Sequence, residues 1–289
     1  MTRQSIAIRA GLLSVLVSLA LTGCNRKFYD PHPTADQEAV AIIRGGGGGD
    51  TAAETAVPTG TGWATLKGQF VLDGQSPNLP AIPTAGKDPA CPAQVPNQTV
   101  VVDPATKGIA NIVVFARKVS RVFKPEEGGQ PVPPVFDQNK CIFLTHVLAT
   151  RVEDALSINN SDAVLHNTNI SPPGNPAFNQ SLPPKASAKY KFSKQLSLPA
   201  EVVCNIHPWM KGWILSRDDP YFAVTAKNGE FEIKNLPAGE DIEFQVWQEK
   251  SPTGLSAAPL VSRGRFKLKL EPDETKDVGT IAVPAATFD

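Results

Sequence analysis

An all-β fold follows from three features of the sequence. Proline and glycine are abundant, at 27 and 22 of 289 residues, and break the chain into short segments. Runs of β-branched and aromatic residues alternate with polar ones, the period of a half-buried strand. Beyond the N-terminal stretch no segment carries the 3.6-residue apolar period of a helix. Short strands at this spacing predict a Greek-key β-sandwich.

The N-terminus reads as an address. Arg3 and Arg9 flank the start of an apolar run from Ala10 to Ala20 that is too short to span a bilayer comfortably. It ends in Leu21-Thr22-Gly23-Cys24, which resembles the bacterial lipobox. The resemblance implies a lipoprotein signal peptide over residues 1–23 and lipidation of Cys24. The mature chain is then expected at the bacterial cell envelope, facing the periplasm or the exterior, and held to a membrane by its N-terminal lipid. Residues 24–62, with Gly45 to Gly49 and Thr51-Ala-Ala-Glu-Thr-Ala56, have little that could form a core and are expected as a flexible tether; His32 falls within it as a solvated side chain.

Strands begin near Trp63. Thr65 to Leu72 is closed by Asp73-Gly74, and Ile109 to Ala116 follows a proline-rich loop holding Cys91. Further β runs cover Cys141 to Thr150, Ala155 to Asn160, Lys189 to Ser193 and Glu201 to Cys204. Downstream of Asp218, Phe222-Ala-Val-Thr225 and Phe231-Glu-Ile233 flank Asn228-Gly229, the signature of a hairpin with a type I′ turn. Glu243 to Gln248 and Arg265 to Leu270 complete the set. The pattern Gly229-x-Phe231-x-Ile233 followed by Leu236-Pro-x-Gly239 resembles the carboxypeptidase regulatory-like, or transthyretin-like, sandwich, whose members are usually structural. Expected boundaries are therefore 63–218 for one domain and 219–289 for the regulatory-like strands; whether these form a separate domain or additions to the first sandwich is open.

Charge narrows the function. Lys plus Arg and Asp plus Glu both number 28, so nothing supplies a basic field for nucleic acid. No Gly-x-Ser-x-Gly, Walker loop, His-Glu-x-x-His or spaced pair of acids appears, and an enzyme acting on a small-molecule substrate is not expected. Four cysteines are present. With Cys24 assigned to lipid and Cys204 to a metal, Cys91 and Cys141 remain; an oxidising compartment permits a disulfide between them, worth about 4 kcal/mol by chain entropy. Two buried thiols are the alternative.

Cys204-Asn-Ile-His207-Pro-Trp-Met210 places a thiol, an imidazole and a thioether on one short loop after a strand, and His166 lies near the end of another strand-like run upstream. A thiolate, two imidazoles and a weak thioether are together the ligand set of a mononuclear type 1 copper centre used for electron transfer. Oxidase or reductase chemistry needs more histidines than the four available, and a binuclear centre needs a second cysteine next to Cys204. His146 has no ligand partner at useful spacing and reads as structural.

Ile158-Asn-Asn-Ser-Asp-Ala-Val-Leu-His166-Asn167 and Cys204-x-x-His207-Pro-x-Met210 resemble the cupredoxins, most of all their short-loop, amicyanin-like members, over Val135 to Leu215. The resemblance implies one copper ion, with His166, Cys204 and His207 equatorial, Met210 axial and Asn167 bracing the Cys204 loop. Trp209 and Trp213 are open to two roles, a docking patch for a transient redox partner or core packing. The expected function is an envelope-tethered one-electron carrier. Its alternative is a structural or surface-binding lipoprotein with a copper-storage or vestigial copper site.

Overall fold

The computed structural model describes residues 60–84, 88–124, 132–252 and 254–288. The signal peptide, Cys24, His32 and nearly all of the 24–62 tether lie outside the described residues. Apart from one 3-10 turn at Ala285–Phe288, regular structure in the described residues is β throughout, as expected from composition and period.

One sandwich contains the strands between residues 135 and 217. A five-stranded sheet runs in the order Phe178–Leu182, His166–Ile170, Ala200–Val203, Lys211–Arg217, Val147–Arg151. A four-stranded sheet runs in the order Ser187–Tyr190, Leu156–Asn160, Val135–Asn139, Ile142–Phe143. Alternate residues of each point inward, so Ile170, Val202 and Ile214 from the first meet Phe136, Phe143 and Ile158 from the second in one apolar cluster. Full burial of each such side chain contributes roughly 1.5–3 kcal/mol.

The boundary expected between residues 218 and 219 does not match the strand pairing. Trp63–Asp73 lies between Glu230–Pro237, antiparallel to it, and Thr275–Pro284, parallel to it. Val113–Ala116 lies between Phe222–Val224 and Asp241–Trp247, with Arg265–Lys269 at the edge. The N-terminal strands thus complete the sheets of the C-terminal ones, around a second cluster that includes Leu66, Phe70, Phe231, Phe244 and Ile281. The physical reason is that the C-terminal strands cannot cover their own apolar faces, and a parallel pairing across some two hundred residues leaves no trace in local periodicity.

Val113–Ala116 joins the two cores. All four residues are buried; Val114 and Ala116 face the second cluster while Val113 and Phe115 face the first, where Trp247 accompanies them. Arg217, at the end of the Lys211–Arg217 strand, donates to the carbonyls of Ala116 (2.9 Å), Arg117 (3.2 Å) and Leu196 (3.0 Å) and lies over the Phe115 ring. Burial holds its pKa below the usual range, opposed by nearby Asp219.

The expected hairpin at Asn228-Gly229 is also corrected. Phe222–Val224 and Glu230–Pro237 belong to different sheets, and the turn carries the chain from one to the other. Gly229 has φ +81°, whereas Asn228 does not enter the left-handed region that a type I′ turn requires of both residues. A Cβ on Gly229 would lie 2.1 Å from the Phe70 carbonyl oxygen.

Candidate metal centre

His166 opens its strand, and Ala200–Val203 runs antiparallel to it with Val203 opposite Asn169. The start of one strand and the end of the other therefore lie at the same edge of the sheet, and Cys204 follows directly. Sequence placed His166 near a strand end; the register puts it at the beginning, which serves the same convergence. The loop after Cys204 is closed by its own backbone, with Met210 N–H donating to His207 O (2.9 Å) and Cys204 N–H to Met210 O (3.2 Å). Cys204 and Met210 therefore form the base of the loop, and both are 1 % exposed.

Three donors converge. The nitrogen of His166, the sulfur of Cys204 and the nitrogen of His207 lie within 4.8 Å of one another, all buried. The two Nδ1 atoms are 2.9 Å apart, and Cys204 Sγ is 3.8 Å from His207 Nδ1. Donors that share one ion at bond lengths of about 2.0–2.3 Å take such separations. Met210 is buried at the base of the same loop.

The outer nitrogens explain why both Nδ1 atoms face inward. His166 Nε2 donates to Asp162 Oδ2 (2.9 Å) and His207 Nε2 to Asp88 Oδ2 (3.1 Å). The hydrogen bond from His207, with help from the Ala90 N–H, holds the Asp88 pKa below the usual carboxylate range. Burial raises that of Asp162, but bonds from His166 and from the Cys141 and Ala163 N–H groups outweigh it, and the net shift is downward. An ionised carboxylate only accepts, so the hydrogen on each outer nitrogen, Nε2, is the one that faces it. Burial, reinforced by His207, lowers the His166 pKa against the pull of Asp162 and keeps its ring neutral. The two Nδ1 atoms face each other at 2.9 Å, and a cation between them would engage both lone pairs. Together with a free, buried thiol, this donor set fits a soft transition metal.

Asn167 is hydrogen-bonded to the Cys204 loop. Its backbone N–H donates to Cys204 Sγ (3.3 Å), its side-chain oxygen accepts from Asn205 N–H (3.1 Å), and its amide donates to Asn179 (2.7 Å). Cys91 and Cys141 form a disulfide. Its sulfurs are spent on one another, so their proximity to His207 does not make them ligands. His146 lies outside the converging donors and is hydrogen-bonded to Glu249, which also accepts from Trp213 Nε1 (3.1 Å).

Both tryptophans are half-buried with engaged indole N–H groups. Trp209 donates to Cys141 O (3.0 Å) and packs at 5.1 Å from the His207 ring, while Trp213 meets Trp247 at 5.1 Å. Each thus packs against a neighbouring ring. The exposed apolar side chains beside the histidines are instead Leu165 and Ile206, at 45 % and 42 %. Asp88 and Asp162 are the residues that sequence reasoning missed. Asp162 lies four residues before His166, a separation visible in the sequence; Asp88 had no signal beyond its place in the loop of Cys91.

No family model and no curated protein matches the chain. Among solved structures, a proline-to-glycine mutant of amicyanin in its reduced Cu(I) form aligns at 20 % identity over 36 % of this chain and 98 % of its own, with a TM-score of 0.27. A purple cupredoxin from Nitrosopumilus maritimus aligns at 18 % identity over 29 % of this chain and 98 % of its own, TM-score 0.25. A copper-containing nitrite reductase from Thermus scotoductus SA-01 aligns at 22 % over 33 % of this chain and 24 % of its own, TM-score 0.28. At such values the reading of the site rests on the geometry of this chain.

Proposed function

We propose that this protein is a mononuclear type 1 copper protein that carries single electrons. The observation that supports it most is the convergence of Cys204 Sγ with two Nδ1 atoms whose outer nitrogens are held on carboxylates. Bound copper would supply one-electron exchange between Cu(I) and Cu(II), with His166, Cys204 and His207 as strong ligands and Met210 as the weak fourth. The chain's own part is to keep that geometry fixed. Two closing backbone bonds, Pro208 and the Asn167 contacts limit movement of the loop, which lowers the rearrangement needed between oxidation states. The N–H of Asn167 tunes the thiolate by donating to its sulfur.

The remaining parts of this reading concern placement. The lipobox at Cys24 puts the carrier on an envelope membrane by a lipid, and Leu165 and Ile206 offer apolar surface to a transient redox partner. Catalysis is not part of it, because the four histidines of the sequence leave no set for a second metal. Copper-loaded protein is expected to show an intense visible thiolate-to-copper band that Cys204→Ser abolishes; a wild type lacking the band would overturn the proposal.

One observation favours copper storage as a second reading. His207 is only 1 % exposed, so neither imidazole offers an open edge to a partner. Cyclic voltammetry separates the two, since a carrier exchanges electrons fast and reversibly whereas a storage site releases its metal on reduction.

A further inference from the structure

We infer that the Cys91–Cys141 disulfide positions a metal ligand: it fixes Asp88 on His207 and thereby holds that imidazole with Nδ1 facing the copper site. The inference rests on the copper reading above and assigns the disulfide a task that cysteine arithmetic did not. Asp88 sits in the loop of a small hairpin, where Ile82–Pro83 pairs with Gln94–Val95 and Thr84 N–H donates to Ala93 O (3.0 Å). Within that loop the Asp88 carboxylate is divided between two tasks. Oδ1 accepts from Ala90 N–H (2.8 Å), which sets the side chain, and Oδ2 accepts from His207 Nε2 (3.1 Å). Asp88 O in turn accepts from Cys91 N–H (3.2 Å), so the carboxylate and the crosslinked residue belong to one turn.

The other half of the disulfide is anchored in the sandwich. Cys141 N–H donates to Asp162 Oδ2 (2.8 Å), and Cys141 O accepts from Trp209, whose ring covers His207. Lys140 and Cys141 both adopt left-handed backbone, with φ +52° and +57°, at a cost of about 1 kcal/mol or more each. The turn is thus built at some expense, and it places Cys141 where its peptide and its sulfur reach both histidine arms. The disulfide sulfurs themselves lie within 4.8 Å of a His207 nitrogen.

The two arms differ in what secures them. Asp162 is held by backbone N–H groups of Cys141 and Ala163, which stay in place without a crosslink. Asp88 is a partly exposed side chain on a surface loop, and a contact of that kind contributes little unless the loop is fixed. The crosslink supplies the fixing, and only the His207 arm depends on it.

A double-mutant cycle on the full chain tests this by chelator competition for Cu(II). Asp88→Ala is expected to weaken copper binding about 10- to 100-fold, as loss of a carboxylate behind a metal-bound histidine does. The Cys91→Ser/Cys141→Ser variant should show a similar loss, and combining it with Asp88→Ala should add nothing further. Combining it with Asp162→Asn should instead multiply the losses. Wild-type copper affinity in a Cys91→Ser/Cys141→Ser variant that has lost only thermal stability would overturn the inference, as would losses that multiply with Asp88→Ala. Nitrogen-15 NMR of the His207 ring in the metal-free chain gives a second readout. The Nε2–H tautomer should prevail in the wild type and give way in Asp88→Ala, whose disulfide is intact; an unchanged tautomer there overturns the inference even if the serine variant fails to fold. A wild type that binds no copper would sink the copper reading alone; the tautomer in Asp88→Ala would still judge the link between Asp88 and His207, and an unchanged tautomer in a folded Cys91→Ser/Cys141→Ser variant would overturn the disulfide's part in it.

Discussion

Asn167 touches the Cys204 loop through both its backbone and its side chain. Replacing it with alanine leaves the N–H bond to Cys204 Sγ intact and removes the side-chain bonds to Asn205 and Asn179. The expected outcome is a loss of about 1–2 kcal/mol in unfolding by urea, with a visible band in place and several-fold faster copper release to a chelator. Equal release rates would show that the loop needs no brace from this side chain. The candidate donors were legible because the Cys204 loop holds a thiol, an imidazole and a thioether within seven positions. Asp88 was not, since a carboxylate acting across 119 residues has no characteristic spacing from its histidine.

The strand at Trp63–Asp73 and the turn at Gly229 show where local signals suffice and where they fail. Alternation placed strands near Thr65 to Leu72, Ala155 to Asn160 and Glu243 to Gln248, and the structure has strands over or near each. It could not say which strand pairs with which. Asn228-Gly229 is a strong local turn signal, yet here it bridges two sheets, because Phe222–Val224 finds a better apolar neighbour in Val113–Ala116 than in the segment that follows it. Gly229→Ala is expected to cost about 2 kcal/mol or more, from the left-handed backbone and from the clash with the Phe70 carbonyl. Equilibrium denaturation measures it, and a change within a few tenths of a kcal/mol would mean that the turn relaxes.

Two sandwich cores meet across the Val113–Ala116 strand, buried on both faces. A chain ending at residue 218 would leave Trp63–Asp73 and Val113–Ala116 without any of their strand partners. It should therefore show exposed apolar surface and low solubility rather than a cooperative thermal transition. A well-folded 63–218 fragment would instead support the boundary expected from the regulatory-like pattern.

Composition and period were enough for an all-β chain, because alternation is a property of neighbouring residues and reports which face of each strand is apolar. The candidate donors were legible for the same reason, three of them being confined to one loop. Strand partnership, the carboxylates behind the histidines and the placement of the disulfide against His207 depend on which distant segments cover each other's apolar faces. That choice is made by packing over the whole molecule, and the free energy that selects it comes from contacts between residues far apart in the chain.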